Sequence, residues 1–162
     1  MFVKHFRKFT LLPKPVFQKV RLNEIFHNLK ILFNEDIHTN KIIFKIRCIP
    51  VDLCIEADKK LIEQLFINLL KNSIHYLEKS ENPVLEIYAH QRDESRVEVS
   101  VKDNGQGIQP AEIDKIFIPF YTTREEGSGI GLSLSRQIMR MHGGTIDAYS
   151  DPEKQTVFRL RF

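Results

Sequence analysis

The segment from Asp58 to about Lys79 constrains the fold most, because its apolar residues recur at the spacing of one helix face. Asp58 is a typical N-cap residue and directly precedes this run. The apolar arc consists of Ile62, Leu65, Phe66, Leu69, Leu70 and Leu77. A long helix with one apolar face needs a second layer of structure to cover that face.

Five segments with roughly alternating apolar residues can supply that layer as β-strands. In chain order they are KIIFKIRCI, which stops at Pro50, and then VLEIYAH, RVEVSVKD, TIDAYS and QTVFRLRF. Polar turns join the second to the third and the fourth to the fifth, so a mostly antiparallel sheet is predicted. The chain is therefore predicted to be an α+β protein, a two-layer α/β sandwich with helices packed on a mixed, mostly antiparallel sheet.

Two further amphipathic helices are predicted, one from Leu22 to Phe33 and one that begins near Gly131. The second should end at Gly143-Gly144, a good C-cap, with Leu134, Ile138 and Met141 facing inward. Residues 104–129 are rich in glycine, proline and charge. They are predicted to form a long mobile loop with one short helix around Glu112 to Phe117.

Composition excludes several function classes. The 162 residues suffice for one domain with a core, and 24 basic against 21 acidic residues are too balanced to indicate nucleic-acid binding. No apolar run is long enough to span a bilayer and no signal peptide is visible, so we expect a cytosolic domain. Cys48 and Cys54 are expected to be reduced, buried thiols, because no further metal ligands lie near them.

An asparagine pair is the first candidate for chemistry. Asn68 and Asn72 lie four residues apart on one helix face, with His75 and Tyr76 one turn further on. An amide oxygen suits Mg²⁺, which usually keeps waters and phosphate oxygens as its other ligands. Two solvated surface amides explain this pattern equally well when the motif is considered alone.

Asp103 is the second candidate, because it has the parity of the apolar residues of its strand and should point into the interior. A buried carboxylate needs a hydrogen-bond donor, which an exocyclic amine could supply. Gly105 and Gly107 would let the backbone approach a flat ligand. Thr156 should also point inward and could share a water with Asp103. Considered alone, however, Asp-Asn-Gly is most simply a turn.

The stretch GSGIGLSLS, Gly127 to Ser135, places three glycines directly before a helix. Backbone N–H groups at such a helix start bind anions well, although a flexible turn is the simpler alternative. The stretch is neither a dinucleotide-binding fingerprint nor a P-loop. Thr122, Thr123 and Arg124 precede it and add donors suited to a terminal phosphate.

The order of these motifs resembles the GHKL ATPase superfamily over residues 20–162. Its four conserved boxes match Asn68 to Asn72, Asp103 to Gly107, Phe117 to Phe120, and Gly127 to Gly131. Within that superfamily the chain looks most like the catalytic and ATP-binding domain of a bacterial two-component sensor histidine kinase. The resemblance implies that residues 1–20 are the end of an upstream dimerisation helix and a linker. Residues 21–162 would be the catalytic domain, with a flexible ATP lid.

The resemblance also implies ATP and Mg²⁺ as cofactors. Asn72 would ligate Mg²⁺, Asn68 and His75 would approach the phosphates, and Arg124 would contact the γ-phosphate, with Asn68 and Arg124 as the catalytic residues. Asp103 would accept a hydrogen bond from the adenine amino group. The other residues implied to contact the nucleotide or anchor the lid are Tyr76, Gly105, Gly107, Ile108, Phe120, Thr122, Thr123, Gly127, Ser128, Gly129, Ile130, Gly131, Leu132 and Thr156.

The activity implied is γ-phosphoryl transfer from ATP to a histidine on a separate phosphoacceptor helical domain, of the same or a sister protomer, with a response regulator downstream. The resemblance implies that the isolated domain is a monomer and that the full-length kinase is a dimer. It also implies that this domain is the cytosolic part of a membrane-bound kinase. The domain itself is expected to contact neither membrane nor nucleic acid. In the acceptor motif of that family, an acidic residue follows the histidine. No histidine of this sequence is followed by an acidic residue, so the fragment should bind nucleotide without phosphorylating itself. The histidines are His5, His27, His38, His75, His90 and His142.

Two alternatives remain at this point. An anti-sigma-type serine kinase, or a nucleotide-dependent protein-binding module, would share the same boxes. A structural domain that no longer binds nucleotide would keep the fold alone. The proline-containing segment before residue 20 favours the histidine kinase, and the complete set of boxes argues against the structural domain.

Overall fold

The computed structural model describes residues 12–125, 127–152 and 154–162. Four helices and seven strands are found in this described part of the chain. In order they are β1 (Gln18–Arg21), α1 (Leu22–Leu32), α2 (Asn34–Thr39), β2 (Ile43–Ile49), β3 (Cys54–Ala57), α3 (Lys59–Leu77), β4 (Val84–Gln91), β5 (Val97–Asp103), α4 (Gly131–Met141), β6 (Thr145–Asp151) and β7 (Gln155–Arg161).

Five strands form one sheet in the order β2-β4-β5-β7-β6. The pair β2–β4 is parallel, since α3 provides the crossover between them, and the other three pairs are antiparallel. A separate two-stranded antiparallel sheet joins β1 to β3. The predicted mixed, mostly antiparallel sheet packed against helices is confirmed.

Helix α3 forms the centre of the helical layer. The Asp58 carboxylate accepts a hydrogen bond from the Leu61 N–H at 3.1 Å, so the predicted N-cap is confirmed. All six residues of the predicted apolar arc are buried against the sheet or α1. Phe66 meets Phe26 of α1 edge to face, with ring centroids 5.2 Å apart. The inner face of the sheet contributes Leu85, Ile87, Ala89, Val99, Val101, Phe158 and Leu160 to the same core.

One of the predicted helices is absent, because residues 112–117 form turns. The side chains of α4 that were predicted to face inward all contact the core: Ile138 is fully buried, and Leu134 and Met141 are partly buried against it. Ser135 and Met139 are fully buried as well. Burying a serine is inexpensive here because the Ser135 hydroxyl donates to the Gly131 carbonyl at 2.9 Å, one turn back in the helix. The Gly-Gly C-cap is confirmed by the Gly143 N–H, which donates to Arg140.

Residues 16–21 belong to the folded unit. Strand β1 covers part of the predicted linker, and its Val20 is 4% exposed in the core. The Val16 N–H donates to the Asp58 carboxylate at 2.9 Å, which fixes this segment to the start of α3. Residues 1–11 lie outside the described residues, so the upstream helix assigned to them stays a prediction.

Two further expectations concern the membrane and the cysteines. Among the described residues, none of the helices has both the length and the apolar character needed to cross a bilayer. Cys48 and Cys54 are free thiols, each partly exposed rather than fully buried. Burial still raises the pKa of the Cys48 thiol.

Candidate functional site

A cavity of about 550 Å³ opens between α3, α4, the end of β5 and the loop 104–130. Its volume is in the range that holds one small organic ligand. It brings together most of the residues that the sequence singles out. Those lining it are Asn68, Asn72, Tyr76, Asp103, Gly107, Ile108, Thr122, Thr123, Arg124, Gly127, Ser128, Gly129, Gly131, Leu132 and Thr156.

The fully buried residues of the cavity lining, Ser73, Asp103, Thr156 and Phe158, define what we call its closed end. Asp103 is 1% exposed, as its parity on β5 predicts. The Ser73 hydroxyl donates to its Oδ2 at 2.8 Å, and the Gly105 N–H donates to its Oδ1 at 3.1 Å. Burial raises the pKa of this carboxyl above its ordinary value, while the two hydrogen bonds lower it. Each carboxylate oxygen has two lone pairs, so each can still accept from a ligand. Thr156 pairs with Asp103 across the strands and is also buried.

The two asparagines of α3 have different partners. Asn68 donates to the Gly131 carbonyl at 3.1 Å, and its own oxygen accepts from Gln64 at 3.0 Å. Asn68 therefore fixes the first turn of α4 against α3. The Asn72 oxygen instead accepts from the Arg124 guanidinium at 3.3 Å, inside the cavity.

The Asn72 oxygen is the candidate metal ligand of the cavity. It is a neutral, hard donor with a second lone pair beside the one that accepts from Arg124, which suits a single protein ligand to Mg²⁺. The described residues contain no group of three or more His, Cys, Asp or Glu side chains able to hold a metal ion. The remaining ligands of such an ion would therefore be phosphate oxygens and waters, as is usual for Mg²⁺.

The glycine-rich segment folds back on the residues that precede it. The Phe120 N–H donates to the Gly129 carbonyl at 2.9 Å. Gly129 has a φ of +66°, and a Cβ there would lie 2.5 Å from the Phe120 carbonyl carbon. The close approach of these two backbone segments thus requires glycine at position 129.

Four of the predicted site residues do not line the cavity: His75, Gly105, Phe120 and Ile130. The His75 ring packs edge to face on Tyr76, and its Nδ1 lies 3.6 Å from the Glu78 carboxylate. Gly105 lies behind Asp103, where a Cβ would be 2.7 Å from the Tyr76 carbonyl oxygen.

The other residues that line the cavity were not among the site residues predicted from the sequence. They are Lys71, Ser73, Gln106, Gln109, Glu112, Ile116, Tyr121 and Phe158. Ser73 had a detectable signal, since it occupies a helical position between the apolar Leu69, Leu70 and Leu77 of the buried arc. A polar residue at such a position suggests a buried partner. The loop residues had no such signal, because the loop 104–130 lacks periodicity.

The arrangement suits a ligand with different chemistry at its two ends. At the closed end, a buried carboxylate can accept hydrogen bonds. Elsewhere in the lining, the cations Lys71 and Arg124 and the glycines before α4 favour negative charge. A molecule with an amino-bearing ring and a phosphate chain satisfies both.

Comparison with known proteins gives the family. Residues 57–162 match the family described as histidine kinase-, DNA gyrase B-, and HSP90-like ATPase. The chain is 32% identical over 142 residues to the sensor histidine kinase ZraS of Klebsiella oxytoca. That match covers 88% of this chain but only 30% of the relative, so the chain spans about a third of the length of this curated relative.

Solved structures agree with the sequence matches. The nucleotide-free catalytic domain of the histidine kinase ThkA superposes with a TM-score of 0.81 at 34% identity, covering 91% of this chain and 95% of that one. ThkA in complex with the response regulator TrrA gives a TM-score of 0.82 at 32% identity, covering 99% of this chain and 45% of that one. With this fold, this cavity and these matches, the chain belongs to the family of histidine kinase-, DNA gyrase B- and HSP90-like ATPases, in the form of a histidine kinase catalytic domain.

Proposed function

We propose that this chain binds Mg-ATP and positions it for γ-phosphoryl transfer to a histidine on a separate phosphoacceptor domain. One observation carries the proposal: the cavity has a buried carboxylate, Asp103, at its closed end and two cations, Lys71 and Arg124, elsewhere in its lining. The names of the relatives, which are sensor histidine kinases, support the kinase and do not favour the serine kinase or protein-binding alternative.

At the closed end, Asp103 would accept the adenine amino group. Burial makes that hydrogen bond selective, because the carboxylate has no access to bulk water once the cavity is filled. Apolar side chains of Ile108 and Phe158 would contact the ring, and Tyr76 and Thr156 complete this part of the lining. Gly107 would allow the ring to lie close to the backbone.

At the phosphate end, the N–H groups around Gly129 and Gly131 would bind the α- and β-phosphates at the start of α4. Thr122, Thr123 and Arg124 would donate to the γ-phosphate. The Asn72 oxygen would hold Mg²⁺, which when bound neutralises part of the charge that develops on the transferred group.

The residues outside the cavity lining have indirect roles in this proposal. Asn68 would act by fixing the first turn of α4, to which it is hydrogen-bonded. Phe120 and Ile130 would anchor the lid, and Gly105 would hold Asp103 through its N–H. His75 would reach the phosphates only by leaving Glu78, so we assign it the weakest contribution.

The proposed partners follow from the reaction. A histidine-bearing helical domain, in the same or a sister protomer, would receive the phosphoryl group, and a response regulator would accept it next. ThkA is described in complex with the response regulator TrrA, which supports such a partner for this chain. We further propose that the domain is cytosolic, part of a membrane-bound kinase, and monomeric when isolated.

Calorimetric titration tests the nucleotide site. The full chain should bind ADP and ATP more tightly than GTP, and Mg²⁺ should tighten ATP binding. Asp103→Asn, which loses the charged acceptor, should weaken ADP binding by at least about tenfold, because hydrogen bonds to charged groups contribute about 1.5–3 kcal/mol. Asn72→Ala should leave metal-free ADP binding unchanged and remove the Mg²⁺ effect.

Asp147→Asn is the matched control for the first variant, since Asp147 is exposed on the outer side of β6 and pairs with Arg161. It should titrate like the parent. If Asp103→Asn and Asn72→Ala also titrate like the parent, the nucleotide does not bind in this cavity.

A further inference from the structure

Ser73 carries a buried hydroxyl that contacts the carboxylate of Asp103, the residue proposed to accept a hydrogen bond from the base. It lies on α3, is 1% exposed, and lines the cavity. Its hydroxyl donates to Asp103 Oδ2 at 2.8 Å, while the Gly105 N–H serves the other oxygen. Both carboxylate oxygens are thus held from the protein side, which fixes the plane of the carboxylate.

Asp103 forms no ion pair with any of the described residues. Its negative charge is therefore stabilised locally by two hydrogen bonds, of which the one from Ser73 is the shorter. The strands beside it, β4 and β7, present the uncharged Leu85 and Thr156 at the paired positions. The titratable or charged groups that line the same cavity are Lys71, Tyr76, Glu112, Tyr121 and Arg124.

The protonation state of Asp103 decides which base the site can bind. An ionised carboxylate only accepts hydrogen bonds, so it pairs with an amino group. A protonated carboxyl can donate, so it pairs with a keto oxygen. Burial raises the pKa of Asp103, and the hydrogen bonds from Ser73 and Gly105 oppose that rise, so the Ser73 hydroxyl favours the ionised, accepting state.

We propose that Ser73 is a positioning residue that keeps Asp103 in its accepting form and orientation, so that the cavity selects an amino-bearing purine over a keto-bearing one. This inference rests on the proposed function, because it assigns the base preference of the same site. A hydroxyl that merely fills its place in the core would have no influence on that preference.

The test is a titration of Ser73→Ala with ADP and with inosine diphosphate, which has a keto oxygen where adenine has its amino group. At pH 7 the variant should bind ADP more weakly, because a carboxylate held by one hydrogen bond instead of two is less firmly oriented toward the amino group and less readily ionised. Inosine diphosphate should be affected less or should bind better. The ratio of the ADP affinity to the inosine diphosphate affinity should therefore fall.

The pH dependence gives a second readout. ADP binding needs ionised Asp103, so it is complete above the pKa of that carboxyl and declines as the pH falls through it. Loss of the Ser73 hydrogen bond should raise the pKa further, so the midpoint of the decline should lie at higher pH in Ser73→Ala than in the parent. In an Asp103→Asn background, where residue 103 does not ionise, this decline should be absent with and without Ser73→Ala, and Ser73→Ala should not change the ratio.

Ser100→Ala is the matched control, because Ser100 lies on the same strand as Asp103 but points to the other face and donates to the Tyr88 carbonyl. It should leave both readouts at the parent's values. If Ser73→Ala does not fold, Ser73→Cys replaces it, since a thiol is a weaker donor, and it should shift both readouts in the same direction.

Equal losses for the two nucleotides, with an unchanged pH midpoint, would overturn the role of Ser73 while leaving the nucleotide site intact. Failure of the parent chain to prefer ADP over inosine diphosphate would instead count against the proposed function itself. The two failures are therefore distinguishable.

Discussion

Two glycines of this chain have the same left-handed backbone but very different surroundings. Gly129 has φ +66° and Gly143 has φ +70°. A Cβ at Gly129 would collide with the backbone of Phe120, whereas a Cβ at Gly143 would meet nothing within 4 Å. Alanine substitutions at these two positions therefore separate the energetic effect of the left-handed backbone from the effect of the close approach between Gly129 and Phe120.

Gly143→Ala should lower the free energy of unfolding by roughly 1–2 kcal/mol, the usual strain of a left-handed L-residue. It should leave ADP affinity unchanged, because Gly143 lies at the far end of α4 from the cavity. Gly129→Ala should cost more and should also weaken ADP binding, since the loop has to move away from residue 120. Urea unfolding and calorimetric titration measure the two effects. Identical behaviour of the variants in both experiments would show that the Gly129–Phe120 contact does not shape the site.

At the scale of elements, Asp58 joins three parts of the fold. Its carboxylate accepts from Val16 and from Leu61, and its own N–H donates to His142 Nε2 at 3.0 Å. His142 in turn contacts the Ile138 carbonyl through Nδ1 at 2.7 Å, so its ring links the end of α4 to the start of α3. The N-terminal segment, α3 and α4 therefore meet at one residue.

Asp58→Ala should lower the free energy of unfolding by roughly 1 kcal/mol at pH 7, the usual effect of removing an N-cap. The hydrogen bond from Val16, followed by that from Leu61, lowers the pKa of Asp58 in the folded state. Its contribution is therefore complete above the ordinary carboxyl pKa of about 4 and is lost as the pH falls through the lower folded value. The difference between parent and variant should shrink from pH 7 to pH 3 in urea unfolding.

Asp114→Ala is the control for this prediction, because Asp114 is exposed in the loop 104–130. Its stability should stay close to that of the parent. A difference between parent and Asp58→Ala that is as large at pH 3 as at pH 7 would contradict the role of the carboxylate charge.

The elements that could be predicted from the sequence are those whose burial pattern is local. Helix α3 and the five strands of the large sheet have clear periodicity, and the parity of Asp103 and Thr156 was enough to place both in the cavity. Strand β1 escaped prediction because it has one buried residue, Val20, and its partner β3 is distant in sequence. Helix α2 has no buried residue at all, so it had no periodicity to detect.

The parts of the site that could not be predicted depend on loop conformation or on polar pairing. The sequence spacing of Phe120 and Ile130 gave no information about which side of the loop faces the cavity. The position of Ser73 in the buried arc indicates a buried partner but does not identify it, because that partner, Asp103, is 30 residues away in sequence. The partner becomes identifiable only when the strand and helix are packed together.

At the scale of the whole molecule, the match to the family begins at residue 57, whereas the hydrophobic core also contains residues that precede it. Leu22, Ile25 and Phe26 of α1 are fully buried, and β2 covers the outer edge of β4. Burying one such side chain contributes about 1.5–3 kcal/mol, so α1 alone accounts for an amount comparable to the 5–15 kcal/mol stability of a typical domain.

A fragment of residues 57–162 should therefore fail to fold cooperatively. Circular dichroism during heating and the dispersion of amide proton resonances would measure this, with the full chain as reference. The Phe26→Ala variant of the 162-residue chain should still unfold cooperatively, with the free energy of unfolding reduced by about 3–5 kcal/mol. A sharp unfolding transition of the fragment would show that the first 56 residues are an addition to the domain and not part of it.

The position of β7 has a consequence for synthesis of the protein. It comes after β6 in chain order, yet it inserts between β5 and β6, and it brings Thr156 and Phe158 to the cavity. A nascent chain that has not yet emerged through β7 has an open gap in the middle of its sheet. Nucleotide capture should therefore begin only after β7 has left the ribosomal exit tunnel, so the ligand will bind chains whose sheet is complete and ignore those that are still shorter.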